Sequence, residues 1–185
     1  MGPGMHEMRE GRKEPRQEAL RLGVIVEKRR IGHPWQEWRW QAVAVFVDPP
    51  ESPPWRVLVQ EGETVRYHAA NLELELFRDE TEDYKYNLSS DRPAIYVILR
   101  ESEDEAFPWR PVRVSASPWE GQAHEELSDD RVDAVPMPEL VIARVKDFID
   151  RFHVDRPFYK RKRKGRDRAP HETSEFVRLG PEGES

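Results

Sequence analysis

Asn71-Leu72-Glu73-Leu74-Glu75-Leu76-Phe77 alternates leucine with glutamate without a break. Side chains of an extended strand point alternately to opposite faces, so this stretch reads as a strand with one buried and one wetted face. Upstream, Trp55 to Gln60 and Thr64 to Ala69 flank Glu61-Gly62-Glu63 and are predicted to pair as an antiparallel hairpin. Asp48 to Pro54, with Pro49, Pro50, Pro53 and Pro54, must be an irregular loop. Before it, Glu37 to Val47 alternates so that Trp38, Trp40, Ala42, Ala44 and Phe46 share one face. Leu22 to Lys28 is read as the first strand.

Downstream of the alternating leucines, Thr81 to Leu88 reads as a strand returning beside them. Ala94-Ile95-Tyr96-Val97-Ile98-Leu99 is continuously apolar and fits a central strand covered on both sides. Trp109 to Ser117, with Val112, Val114 and Ala116 alternating, adds a last strand, and Pro118 to Val135 reads as a loop. The period then changes. Val141, Ile142, Val145, Phe148, Ile149 and Phe152 recur at helical spacing, giving an amphipathic helix from Glu139 to His153. Pro138 suits its first turn and Pro157 its stop. The expected fold is mainly β, an antiparallel sandwich or partly open barrel of about seven to eight strands. One C-terminal amphipathic α-helix lies across it or seals its end.

At 185 residues the chain suits a single domain, expected over residues 22–158. Residues 1–21 form an arm and residues 159–185 a basic, then polar, tail. Both lack the apolar residues that offset ordering entropy, so disordered termini are expected. The nine residues Lys160 to Arg168, KRKRKGRDR, carry +6, which leaves −12 for the rest of a chain whose net charge is −6. An acidic body with a basic tail suggests a molecule that touches something else.

The chain has no cysteine, which excludes disulfides, thiolate metal sites, iron–sulfur ligation and Cys nucleophiles. No apolar run reaches the ~20 residues of a transmembrane segment, and the N-terminus has no secretory hydrophobic region. The cytoplasm is the expected location. Met1-Gly2 is followed by Pro3, with His6 where an acylation signal has Ser or Thr.

Residues for chemistry are scarce. His6, His33, His68, His124, His153 and His171 are scattered with no paired metal spacing, and His124-Glu125-Glu126 reads as a polar loop. Ser89, in Asn87-Leu88-Ser89-Ser90-Asp91-Arg92-Pro93, suits turn hydrogen bonding. No glycine-rich phosphate loop is present, and no cofactor is expected. The aromatic cluster Pro34-Trp35-Gln36-Glu37-Trp38-Arg39-Trp40 offers two readings, a stacking platform or core filling. Trp38 and Trp40, beside Ala42 and Ala44, suit the core, and Trp35 is the indole expected to be exposed.

Gly23-Val24-Ile25-Val26-Glu27-Lys28-Arg29, Pro34-Trp35-Gln36, Trp40-Gln41-Ala42-Val43-Ala44-Val45, Tyr67-His68-Ala69, Leu72-Glu73-Leu74, Asn87-Leu88-Ser89-Ser90, Pro93-Ala94-Ile95-Tyr96-Val97 and Val154-Asp155-Arg156-Pro157-Phe158-Tyr159-Lys160-Arg161-Lys162-Arg163 together resemble a proteobacterial domain-of-unknown-function family encoded beside formate dehydrogenase genes. The resemblance covers residues 22–164 and carries over no catalytic residue. It implies an accessory role near a molybdenum- or tungsten-containing, iron–sulfur formate dehydrogenase. The expectation is a non-enzymatic assembly or accessory protein that binds a protein partner, either that enzyme or its maturation machinery. Trp35, Arg156, Phe158, Tyr159, Lys160, Arg161, Lys162, Arg163 and Lys164 are the expected contacts. The alternatives are a nucleic-acid binder using the basic tail, which the acidic body disfavours, and a small-ligand binder or enzyme.

Overall fold

The computed structural model describes residues 17–155. In chain order its elements are β1 (Gln17–His33), β2 (Gln36–Val47), β3 (Arg56–Glu61), β4 (Thr64–Phe77), α1 (Thr81–Leu88), β5 (Ala94–Glu101), β6 (Trp109–Ser115), α2 (Pro118–Leu127), β7 (Arg131–Pro136) and α3 (Glu139–Phe152). The strands form one sheet in the order β2-β1-β4-β6-β5-β7, with β3 paired to β4 off this path. Pairing is antiparallel except between β4 and β6, which meet in parallel at Leu74 and Val114.

The two ends of this order come together without a ladder. Ala42 N–H of β2 donates to the Asp133 carboxylate of β7 at 2.8 Å, and the Arg131 guanidinium donates to the Trp40 carbonyl. The sheet is thereby a nearly closed, barrel-like wall, in keeping with the mainly β class expected.

The alternating leucines lie in β4, where Leu74 and Leu76 are buried. Across the ladder, Leu20 stands opposite Leu74, Leu22 opposite Leu72 and Arg21 opposite Glu73, so apolar faces apolar and charge faces charge. β1 starts at Gln17, inside the stretch read as an arm up to Arg21. The Glu61-Gly62-Glu63 hairpin forms, with Gly62 at φ +57°, a conformation that costs a glycine little. β5 is covered on both faces as expected. Ile95, Val97 and Leu99 point into the core cluster, Ile98 is buried opposite, and α2 packs against the strand with Gly121 on the Tyr96 ring.

Three expectations change. Thr81 to Leu88 is helix α1, whose Thr81, Tyr84 and Asn87 are buried along one side. Pro118 to Val135 contains helix α2 and most of β7. Ser117 caps α2 by accepting from Glu120 N–H at 3.3 Å, and Pro118 occupies the first turn. In β2 the alternation breaks because Ile25 pairs with Ala44 and Val26 with Ala42, leaving Val43 as the extra residue of a bulge. Trp40 and Ala42 point inward, Val45 takes the next core position, and Phe46 turns outward onto Gly23 and His68.

α3 ends at Phe152 and buries Val141, Val145, Phe148, Ile149 and Phe152 in the same core cluster as the strands. It packs on α1, with the Tyr84 and Phe148 rings edge to face at 6.3 Å. Among the described residues no helix is long and apolar enough to cross a membrane.

Candidate interaction surface

β1 and β2 run to a hairpin whose turn is Pro34-Trp35, and Trp35 is 91 % exposed. The neighbouring β3–β4 turn is pinned to this hairpin. Arg30 N–H donates to the Glu63 carbonyl at 3.2 Å, and the Arg30 guanidinium reaches Glu63 at 2.6 Å and Glu37 at 3.5 Å. Both turns therefore stand at one end of the sheet.

Below them, Lys28, Trp38, Val57, Gln60, Val65 and Tyr67 line an open groove of about 310 Å³. The Lys28 ammonium lies 4.3 Å from the Trp38 ring centroid and 5.3 Å from that of Trp40, a cation–π arrangement. Trp40, Trp55, Tyr67 and Phe107 form one aromatic cluster, with Trp55 stacked on Phe107 at 4.4 Å and Trp40 parallel to Tyr67 at 6.0 Å. Trp55 holds φ +63°, a left-handed backbone that is costly for a bulky residue and that this packing stabilises. Core filling thus describes Trp40, Trp38 is half-buried, and Trp35 stands out in solvent. Beside the groove all six residues of β3 are exposed, Val57, Leu58 and Val59 among them.

A second groove, of about 510 Å³, lies between α1 and α2 and is lined by Glu82, Asp83, Lys85, Tyr86, Ser89 and Trp119. The exposed Tyr86 and Trp119 rings stand 5.5 Å apart. The sequence pattern does not reveal this pair, because Tyr86 falls in a stretch with strand periodicity and Trp119 at the start of a polar one, whereas helices α1 and α2 bring them together.

The polar side chains with chemical potential are engaged structurally. His68 is buried between β4 and the proline loop. Its Nε2 stands 2.6 Å from the Asn71 carbonyl oxygen and its Nδ1 3.1 Å from Ser52 Oγ. Since the Asn71 side-chain oxygen can only accept, Nε2 donates to it. Asn71 also donates to the Pro50 carbonyl at 3.1 Å, and the trio fastens the loop to the sheet. Asn87 donates to the Ala94 and Ala116 carbonyls, both at 2.8 Å, and accepts from Ala94 N–H at 3.0 Å. Ser89 donates to the Tyr86 carbonyl at 2.6 Å, the turn bond expected of it.

His124 faces Asp130 at 3.3 Å, and Arg100 grips the same carboxylate through two 2.9 Å bonds. The Arg100 hydrogen bonds, helped by its charge, by His124 and by Ser128, hold the Asp130 carboxyl down at about 2 despite its desolvation. Burial pushes the Tyr84 phenol up, and the phenol donates to Glu80 at 2.7 Å while accepting from Phe77 N–H at 3.0 Å. Desolvation likewise raises the Glu80 carboxyl, aided by the charges of Glu120, Asp83 and Asp79 and opposed by the Tyr84 bond. Among the described residues no group of three His, Asp or Glu side chains is placed to hold a metal ion.

Of the predicted contacts, Trp35 is exposed in the β1–β2 turn. Arg156, Phe158, Tyr159, Lys160, Arg161, Lys162, Arg163 and Lys164 lie outside the described residues. No curated protein and no solved structure matches the chain. A family model described as "Protein of unknown function (DUF3305)" matches residues 21–163, most of the sequence, and the chain belongs to that family.

Proposed function

We propose that the chain is a non-enzymatic accessory protein that binds a protein partner through the hairpin end of its sheet. The observation that carries this reading is Trp35, an indole 91 % exposed at the tip of a hairpin whose base is braced by Arg30, Glu37 and Glu63. A rigidly presented tryptophan is an economical anchor, since it offers much apolar area with few rotatable bonds. The groove between Lys28, Trp38, Val57 and Tyr67 gives a partner a mixed aromatic and polar seat beside it. The partner we propose is a formate dehydrogenase or the machinery that matures it, on the strength of the resemblance described above. The sequence Lys160 to Arg168 supplies an electrostatic contact.

The test is affinity purification of the tagged full chain from its native host, nuclease-treated, at low and moderate salt. Formate dehydrogenase subunits or cofactor-insertion proteins are expected in stoichiometric amounts. Trp35→Ala should lower their recovery by about tenfold or more, as expected of an interface anchor. Replacing Lys160, Arg161, Lys162, Arg163 and Lys164 by glutamine should weaken binding and flatten its salt dependence. Recovery of the protein alone, or only with nuclease-sensitive material, overturns the reading.

A further inference from the structure

β3 is paired with β4 alone, and its opposite edge has no strand beside it among the described residues. Six exposed residues, Arg56-Val57-Leu58-Val59-Gln60-Glu61, with a continuous apolar centre, form a strand edge of the kind that natural proteins usually blunt with lysine or proline. β3 contains neither. Val57 is 53 % exposed, Leu58 38 % and Val59 41 %.

The order of residues along this edge is complementary to itself. We infer that β3 pairs antiparallel with β3 of a second copy about a two-fold axis between Leu58 and Val59. Arg56 then stands opposite Glu61 of the second copy, Val57 opposite Gln60, and Leu58 opposite Val59. By symmetry each pair occurs twice, so an Arg–Glu ion pair closes the strand pair at either end.

Side-chain direction supports the same register. Arg56, Val59 and Glu61 stand opposite His68, Arg66 and Thr64 of β4, while Val57 and Gln60 stand opposite Tyr67 and Val65. Arg56 and Glu61 therefore project from one face of the sheet and Val57 and Gln60 from the other, as residues paired across a ladder must. The irregularity of the strand, the bulge between Val57 and Val59, falls at the axis. The product is a continuous sheet in which β2, β1, β4 and β3 of one copy run into the same four strands of the other. A single six-residue strand pair is a small interface, in the class below about 1,200 Å², so a dimer dissociating in the micromolar range is expected. This inference is independent of the accessory-partner reading, because it concerns the purified chain alone.

The experiment is sedimentation equilibrium on the purified full chain from roughly 1 to 300 µM, a range that brackets a micromolar Kd. The mass should rise with concentration from the monomer's 21.8 kDa towards twice that value. Arg56→Glu sets two like-charge pairs in the dimer and should raise the dissociation constant by about tenfold or more. Glu61→Arg should do the same, and the double variant Arg56→Glu with Glu61→Arg should restore association. Val59→Lys, which places two ammonium groups near the axis, should leave the monomer mass alone. All three positions are exposed, so the thermal unfolding midpoints of the four variants at low concentration should match the parent. A monomer throughout the range overturns the inference. So does a dimer indifferent to these substitutions, or a double reversal that fails to restore what each single change removes.

Discussion

Asn87 does with one side chain what a strand does with its backbone. It fills two carbonyls and one N–H where the ends of β5 and β6 meet α1, at 3 % exposure. Asn87→Ala strands those groups and should cost about 3 kcal/mol of stability, read from denaturant unfolding. Asp130 makes a pH-dependent contribution whose sign follows from its depressed pKa. The folded value of about 2 lies below the ordinary 3.8, so the stabilisation is complete above pH 4 or so and is lost as pH falls through about 2. Asp130→Asn should thus lower the unfolding midpoint at neutral pH. The gap to the parent should close between pH 4 and 2, and a gap independent of pH would refute the ion-pair origin.

At the scale of elements, α3 is the helix most plainly encoded, since Val141, Val145, Phe148, Ile149 and Phe152 fall on one stripe and are the residues found buried. Phe148, fully buried against Tyr84 and Phe152, should cost about 3–5 kcal/mol when replaced by alanine, as a shifted chemical unfolding midpoint would show. The strands that alternate cleanly, β4 above all, were equally legible. α1 was not, because Tyr84, Tyr86 and Leu88 repeat at the strand period while Thr81, Tyr84 and Asn87 carry the helical one, and only tertiary burial decides between them. α2 had left a signal. Ser117-Pro118-Trp119-Glu120 is a cap, a first-turn proline and an acid in the first turn, outweighed in reading by the polar stretch after it. The bulge at Val43 left no signal, since one inserted residue reverses the facing of Phe46 without altering the pattern of residue types. Within the candidate surface, the exposure of Trp35 was legible from its place before the strand. That of Val57, Leu58 and Val59 was not, because an apolar run reads as core until the strand order puts it at an edge.

At the scale of the whole molecule, the wall closes through Asp133 and Arg131 of β7 and the main chain of Trp40 and Ala42 in β2. Asp133→Ala removes the acceptor for Ala42 N–H and should destabilise by about 1–2 kcal/mol. Amide hydrogen exchange should quicken at Ala42 and its β2 neighbours and remain slow in the facing halves of β1 and β4. Two side chains can part while every ladder elsewhere persists, whereas opening any of the antiparallel strand pairs would break several main-chain bonds together. The barrel therefore carries a built-in slit. Breathing of the native protein should begin there, with β2 swinging outward on β1 and admitting water to the Trp40 side of the interior before any of the antiparallel ladders yields.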